Sequence, residues 1–299
     1  ELMLDKPQIF GNNMRLTSNI YASKFLQATY YGLANYQKIN SIPQNSPQYY
    51  EFQSFSIGLN AILRFPVFIS SNKNQLDALA ILNLDYETPW DNGNERLIAQ
   101  EKPLGFNGGR AFMIGSGIIW EARNSEFAPT KGSYLETSLE IGNNLWGSSF
   151  NALIFTHDMR HYLTFRLLKD ITLANRVFLK HTSGETPYWK LAYAGDEQTL
   201  RGYPARRFMD DNSIIFNNEL RTWLFNFSSI DTKLGGTIFM DIGRTFSNGT
   251  SLDSITNDLK FTYGLGATCS VFTPDFIIRT DIGFSEEDTG VYITIGYMF

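Results

Sequence analysis

The sequence lacks any run of apolar residues long enough to cross a membrane as a helix. A spanning helix needs about 20 mostly apolar residues, and the uninterrupted runs here are short, such as Ala78 to Leu82. Charge is also scarce, at 18 % of the 299 residues, against about 25 % in ordinary soluble domains. If the chain spans a membrane, it must do so as a closed β-barrel, which pairs every backbone group without helices.

Other absences exclude further classes of protein. The single cysteine, Cys269, can form no internal disulfide, and no cluster of cysteines and histidines indicates zinc, so we expect no metal and no cofactor. The net charge of −5, with no basic stripe, argues against nucleic acid as a partner. No Gly-x-Ser-x-Gly elbow occurs, so we predict that the chain is not an enzyme. The histidines, expected to be structural or luminal, are His157, His161 and His181.

The abundant feature is an alternation of apolar and polar residues. Odd positions from Phe55 to Phe65 are apolar, whereas Ser54, Ser56 and Asn60 occupy even positions, which predicts a strand with one apolar face. Similar segments predict about twelve strands, near 25–38, 51–65, 76–87, 110–123, 133–144, 149–163, 171–182, 212–224, 233–244, 259–271, 275–285 and 290–299.

Two structures produce this alternation. In a soluble sandwich the apolar faces form a shared core, whereas in a membrane barrel they meet lipid and the charges face the lumen. The segments approach the length of a tilted spanning strand, about 9–11 residues, and short turns alternate with long loops at 88–109, 183–211 and 245–258. We therefore predict an all-β fold, a closed antiparallel transmembrane β-barrel at residues 25–299. Residues 1–24 are expected to be an N-terminal tail or short plug, with an extra hairpin as the alternative.

Aromatic residues, 15 % of the chain, gather near the ends of the predicted strands. In a membrane barrel they would form girdles at the two interfaces, and stacking on a carbohydrate or another ligand is the alternative. The residues concerned are Tyr30, Tyr31, Tyr36, Tyr49, Tyr50, Trp90, Trp120, Trp146, Tyr188 and Trp189.

Three segments resemble one known family. They run from Thr199 to Tyr203, from Phe239 to Gly243 and from Trp120 to Gly132. They are similar to the Arg-Gly-aromatic loop motif, the Phe-x-Asp-x-Gly strand motif and the D-T-R-D-N-x-F-x-P-x-x-G turn of the BamA-type superfamily, also called the bacterial surface antigen family. The likeness agrees in order and spacing over residues 100–299, although Glu121-Ala122 stands where Asp-Thr is usual.

The resemblance implies a loop, 183–211, that folds into the barrel lumen and is held there by one strand motif. The loop residues that carry the motif are Leu200, Arg201, Gly202 and Tyr203. Arg201 would meet Asp241, and the alternation of side chains agrees, because the even-numbered neighbours of Asp241 are apolar and turn it inward. The expected loop-anchoring partners are Asp241, Phe239, Gly243 and Glu219.

Two other interpretations of this loop stay open. Arg201 would be solvated if the loop lies on the surface. Arg201, Arg206 and Arg207 could also form an anion site, or the loop could be neutralised internally by Asp210 and Asp211.

The last residues, from Ile295 to Phe299, resemble the assembly signal of outer-membrane barrels, which ends in Phe. The signal residues would share the lipid-facing side of a final strand at 290–299 and be read by the barrel assembly machinery during biogenesis. They are Ile295, Tyr297 and Phe299.

The resemblance implies a place in the bacterial outer membrane, in contact with its lipid, and a role in protein assembly or transport. Family members have sixteen strands and periplasmic POTRA domains, for which this sequence leaves no room, so we expect a short member that lacks POTRA domains. A separate periplasmic partner would supply client binding, or the chain would form a homo-oligomer. The alternative is a small gated pore or structural outer-membrane protein without insertase activity.

Overall fold

The computed structural model describes residues 1–9, 14–34, 47–70, 74–90, 93–273 and 275–299. These residues form fifteen strands, all of whose pairings are antiparallel. The strands are β1 (Leu2–Ile9), β2 (Met14–Thr29), β3 (Glu51–Ile69), β4 (Gln75–Trp90), β5 (Gly109–Glu121), β6 (Gly132–Gly142), β7 (Ala152–Arg166), β8 (Asp170–Gly184), β9 (Ala192–Ala194), β10 (Phe208–Asp210), β11 (Asn212–Phe227), β12 (Thr232–Phe246), β13 (Lys260–Ser270), β14 (Ile277–Phe284) and β15 (Thr289–Ile295).

Thirteen of these described strands form one sheet in chain order, from β1 through β8 and then from β11 to β15. The remaining two, β9 and β10, pair with each other inside the connection between β8 and β11. Short helices α1 (Pro47–Tyr50), α2 (Leu97–Glu101) and α3 (Leu252–Asn257) lie in other connections. Among the described residues, no helix combines the length and apolarity needed to span a membrane.

The distribution of apolar and charged side chains between the two faces of the main sheet is the reverse of that in a soluble protein. The outer face carries exposed apolar side chains, such as Ile238, which is 60 % exposed. The inner face, against which the β8–β11 connection packs, carries buried charges, such as Asp241, which is 0 % exposed. Because a water-soluble sandwich buries its apolar face and exposes its charges, this distribution favours the membrane interpretation over the soluble one.

Most connections at one end of the sheet are shorter than most of those at the other end. At the turn end they span 10–13, 70–74, 122–131, 167–169, 228–231 and 271–276. At the loop end they span 30–50, 91–108, 143–151, 185–211, 247–259 and 285–288. This asymmetry agrees with the alternation of short turns and long loops in the sequence.

The main sheet differs in two respects from the predicted closed barrel of about twelve strands. First, the described residues of 1–24 belong to paired strands, as in the alternative of an extra hairpin and not as in a tail or plug. Strand β1 pairs with β2 from Leu2 opposite Ile20 to Ile9 opposite Met14, and the expected boundary at residue 25 falls inside β2. Second, no described strand pairs with the free edge of β1 or of β15. The predicted strand at 25–38 ends at Thr29, and its positions 35–38 lie outside the described residues.

The final segment also departs from the expectation of a last strand at 290–299. Strand β15 ends at Ile295 because Gly296 adopts a φ of +86°, which turns the chain. Ile295 stays on the exposed outer face, but Phe299 is only 4 % exposed and packs against the Tyr162 ring, with centroids 6.4 Å apart. Tyr297 lies on the guanidinium of Arg221, 4.0 Å from the ring centroid. Two of the three predicted signal residues therefore face the interior.

Most of the tyrosines predicted to form interface girdles belong instead to a core at the loop end. Tyr30, Tyr31, Tyr50 and Tyr188 are buried there, because the described parts of three connections, at 30–34 with 47–50, 93–108 and 185–211, pack against one another. Their rings pack against one another in edge-to-face and tilted contacts, whereas the rings of an interface girdle would pack against lipid. Tyr36 lies outside the described residues, whereas Trp146 is partly exposed on the outer face.

Candidate functional site

The connection between β8 and β11, residues 185–211, lies against the inner face of the main sheet. We call it the docked loop. Its short strands β9 and β10 pair from Ala192 opposite Asp210 to Ala194 opposite Phe208, so the chain between them forms a hairpin tip. This tip carries the predicted motif, and its four residues are all buried, namely Leu200, Arg201, Gly202 and Tyr203.

Arg201 and Asp241 form a bidentate contact between the docked loop and the sheet. Arg201 Nε donates to Asp241 Oδ2 and Nη2 donates to Oδ1, each at 2.8 Å, and the Arg201 main-chain N–H donates to Oδ2 at 3.2 Å. The planar fork of the guanidinium matches a carboxylate in this bidentate way, which an ammonium cannot do. Asn217 on β11 supports the same carboxylate, with its Nδ2 2.9 Å from Asp241 Oδ1.

The remaining guanidinium nitrogen of Arg201 is shared by two further carboxylates. Nη1 lies 2.6 Å from Glu219 Oε1 and 3.1 Å from Asp281 Oδ2, so this one side chain ties together β11, β12 and β14. Burial by itself lowers the pKa of the Arg201 guanidinium, but the charges of Glu219 and Asp241 outweigh burial and hold the pKa above its ordinary value. Arg201 therefore remains charged.

The carboxylates around Arg201 also meet two arginines from the sheet. Arg221 Nε lies 2.7 Å from Glu219 Oε2, and Arg279 Nε lies 3.0 Å from Asp281 Oδ2. Three guanidinium groups thus face three carboxylates, all buried. We call this set the inner charge cluster: Arg201, Arg221, Arg279, Glu219, Asp241 and Asp281. Since formal charge balances within it, the cluster avoids the large cost of an unpaired buried charge.

The other two residues of the strand motif differ in their relation to the docked loop. The Phe239 ring lies beneath Arg201, with the guanidinium carbon 3.5 Å from the ring centroid, which is a cation–π arrangement. Gly243 faces β11 instead of the hairpin tip. Its nearest neighbours belong to β11, where a Cβ added at Gly243 would lie 2.6 Å from Ile215 Cδ1.

Gly202 brings the hairpin tip into contact with the backbone of β14. It has a φ of +100°, and a Cβ there would lie 2.9 Å from the main-chain carbon of Gly283. A Cβ on Gly283 would in turn lie 2.8 Å from the main-chain carbon of Arg201. The Gly202 N–H donates to the Tyr292 hydroxyl on β15 at 2.8 Å. Two glycines facing each other therefore allow the loop to reach the last strands.

Further contacts attach the docked loop elsewhere. Tyr188 Oη donates to Glu87 Oε1 on β4 at 2.7 Å, and Lys190 pairs with Asp85 on the same strand. Arg207 pairs with Glu287 in the β14–β15 connection, with Nε 2.6 Å from Oε2. The docked loop therefore links β4 to the strands at the far end of the sheet.

These contacts correct the interpretation of a self-neutralising loop. Arg201 and Arg207 pair with carboxylates of the sheet and of another connection, whereas Asp210 accepts a hydrogen bond from Ser247 Oγ at 3.0 Å and Asp211 accepts one from the Asn248 N–H at 3.0 Å. The charges of the docked loop thus serve to attach it rather than to balance one another.

Two of the histidines contact polar side chains of a neighbouring strand. His157 Nδ1 lies 2.9 Å from Thr137 Oγ1 and His181 Nδ1 lies 2.6 Å from Asn212 Oδ1. Across the part of the chain that the structure describes, no group of three histidine, cysteine or acidic residues could hold a metal ion.

Several members of the site were not singled out from the sequence. Arg221, Arg279 and Asp281 alternate with apolar residues along their strands, which places them on the polar face. The alternation does not show at what height along the strands they meet the docked loop. Tyr292 and Gly283 belong to no sequence motif. They contact the docked loop only because its tip packs closely against β14 and β15.

An antiparallel sheet with an apolar outer face, and with a loop packed on its charged inner face, is typical of outer-membrane β-barrel proteins. The Omp85 superfamily domain matches residues 1–299, so the chain belongs to the Omp85 superfamily. A similar solved structure is the crystal structure of BamA from Haemophilus ducreyi lacking POTRA domains 1–3, with a TM-score of 0.63 and 14 % sequence identity. The match covers 98 % of this chain and 59 % of that one, so this chain spans under two thirds of its length. Among curated proteins, none matches.

Proposed function

We propose that this chain is a bacterial outer-membrane β-barrel that assists the assembly or transport of other outer-membrane proteins, together with a separate periplasmic partner. The apolar outer face supports the membrane location, since exposed side chains such as Ile238 and Leu265 suit lipid rather than water. Membership of the Omp85 superfamily and the BamA-like fold support the type of activity.

The observation that carries this proposal is the free edge of β15. The Gly296 N–H donates to the Ile277 oxygen at 2.7 Å. Along an antiparallel strand, the N–H groups of successive residues point alternately toward one neighbouring strand and toward the other. The N–H groups of Val291, Ile293 and Ile295 therefore point away from β14, toward the edge that no described strand occupies. An open edge is a template for pairing with another strand, which is what a protein that helps client strands into a membrane requires.

The docked loop has a supporting role in this proposal. Arg201 holds β11, β12 and β14 to one point, and Gly202 bonds to Tyr292 of β15 itself. An anchored last strand presents its edge in a fixed position, so incoming strands meet a defined register. Leu200, Tyr203 and Phe208 pack behind the tip and keep it in place.

The proposal is tested by the rate at which an unfolded outer-membrane barrel inserts into liposomes that contain this protein. Ile293→Pro removes an N–H from the free edge and leaves the bonds to β14, because proline is tolerated where the missing N–H faces outward. Ile293→Ala keeps the N–H and is the matched control. We expect Ile293→Ala to accelerate insertion like the unmodified protein and Ile293→Pro to lose the acceleration. Equal acceleration by both variants would exclude the free edge as the functional feature.

A small gated pore is the second candidate function. It is favoured by the burial of the docked loop and of the aromatic core at the loop end, which together obstruct the interior. Planar-bilayer conductance separates the two candidates. Deletion of residues 185–211 that opens a steady conductance, in a protein that does not accelerate client insertion, would favour the pore.

A further inference from the structure

A groove of about 600 Å³ lies on the outer face of β3, β4 and β5, away from the docked loop. Outward side chains of these strands form its apolar floor, including Ile57, Leu84 and Phe112. Tyr86 and Arg110, which are register partners on β4 and β5, line it near the loop end. The groove therefore runs from an apolar stretch of the sheet toward a single cation.

One wall of the groove comes from the β6–β7 connection, which folds outward. Its 3-10 helix, Asn144–Trp146, places Trp146 against β5, where the indole N–H donates to the Phe112 main-chain oxygen at 3.3 Å. Leu145 beside it is 91 % exposed. Tyrosine and tryptophan are the residues that prefer the boundary between lipid and water, so this end of the groove has the character of a headgroup region.

Arg110 has a fixed backbone and a free side chain. The Ser149 N–H donates to the Arg110 oxygen at 2.7 Å, and the Arg110 N–H donates to Ser149 Oγ at 3.1 Å. The side chain is exposed on the same face as Phe112, and among the residues described here no carboxylate is paired with its guanidinium. In contrast, carboxylates pair with the guanidinium groups of Arg201, Arg207, Arg221 and Arg279.

We propose that this groove binds one phosphate-bearing anionic lipid of the leaflet at the loop end, with an acyl chain on the apolar floor and the phosphate on Arg110. This inference rests on the proposed membrane location. An arginine can bind a phosphate through two parallel hydrogen bonds, and an unpaired cation at headgroup depth attracts anionic lipid. A zwitterionic lipid would bring its own cation to the same place, so charge complementarity selects the anionic one.

Quenching of tryptophan fluorescence by brominated lipids tests this site, because Trp146 forms part of its wall. The protein is reconstituted in phosphatidylcholine vesicles that contain a minor fraction of brominated phosphatidylglycerol or of brominated phosphatidylcholine. The signal of Trp146 is obtained by difference from Trp146→Phe. We expect the affinity of the site near Trp146, measured by quenching, to be about three- to fivefold higher for brominated phosphatidylglycerol than for brominated phosphatidylcholine, consistent with one basic residue near the membrane surface.

Variants decide whether Arg110 is responsible. Arg110→Gln should reduce the preference to about one, whereas Arg166→Gln, which removes an exposed cation at the turn end, should leave it unchanged. High salt should weaken the preference of the unmodified protein, because screening shortens the reach of the charge. Equal quenching by both lipids, or a preference that survives Arg110→Gln, would overturn the lipid site while the membrane location stands. Absence of quenching by either lipid would overturn both.

Discussion

Arg201 and Asp241, separated by 40 residues in sequence, face each other with two nitrogen–oxygen distances of 2.8 Å. Both side chains are 0 % exposed. Breaking a buried pair on one side leaves a desolvated charge, at a cost of about 3–5 kcal/mol. This contact therefore holds the tip of the docked loop against the inner face, because neither partner can be removed without leaving the other charge buried and unpaired.

The polarity of the outer face gives the first prediction. Ile238→Lys should lower the free energy of unfolding by about 2–4 kcal/mol in lipid if residue 238 lies near the midplane, because an ammonium group would enter hydrocarbon. Ile238→Ala is the matched control and should cost less. Urea titrations of both variants in lipid vesicles provide the measurement. If Lys costs no more than Ala, the outer face is in water, as in a soluble sandwich.

The exposed outer-face positions Leu139 and Ile278 should behave like Ile238, but their neighbours are poor controls for charge. Thr237 and Ile277, which alternate with these positions and lie on the inner face, are 3 % and 0 % exposed. A lysine there would be overpacked rather than hydrated. A comparison within one outer position is therefore sharper than a comparison between faces.

The close approach of the hairpin tip to β14 gives the second prediction. Gly283→Ala should displace the docked loop, since the new Cβ would lie 2.8 Å from the Arg201 main-chain carbon and 3.0 Å from its Cβ. Gly236→Ala is the control, because the atom nearest to its Cβ would be 3.5 Å away. Limited proteolysis within residues 185–211 should be faster for Gly283→Ala only. Equal protection of the two variants would show that the tip does not rest on β14.

The inward turn after β15 gives the third prediction. Phe299→Ala should lower the free energy of unfolding by about 3 kcal/mol, because the buried ring packs against Tyr162. The efficiency of refolding in detergent and of assembly in cells should then both fall. An assembly defect with unchanged stability would instead mean that Phe299 acts only as a recognition signal.

Alternation of side chains predicts most of this fold, and it fails where a strand lacks contrast between its faces. The main-sheet strands from β3 onward were predicted within a few residues of their observed ends, because polar and apolar positions alternate cleanly, whereas β9 and β10 fell inside the predicted loop 183–211. Strand β1 was missed because Leu2, Met3 and Leu4 are consecutive apolar residues on an edge strand that is exposed on both faces. Local pattern carries no information about such an edge.

The site divides in the same way. Inner-face positions of Asp241 and Glu219 follow from alternation alone, and the partnership with Arg201 follows from the family resemblance. Asp281 could not be assigned as a third partner, because contact across strands depends on register and on the depth to which the loop reaches. The burial of Tyr188 and Phe299 depends on how distant segments fold back, which neither period nor motif encodes.

A double-mutant cycle between Arg201 and Asp241 is the most direct measurement of the central claim, that the loop is held inside by a buried charge pair. The protease cleavage rate within residues 185–211 of the folded protein, in lipid, reports the free energy of loop release for Arg201→Ala, Asp241→Ala and the double variant. We expect each single variant to be nearly as damaged as the double, with a coupling energy of about 0.5–3 kcal/mol. Effects that add without coupling would contradict the account.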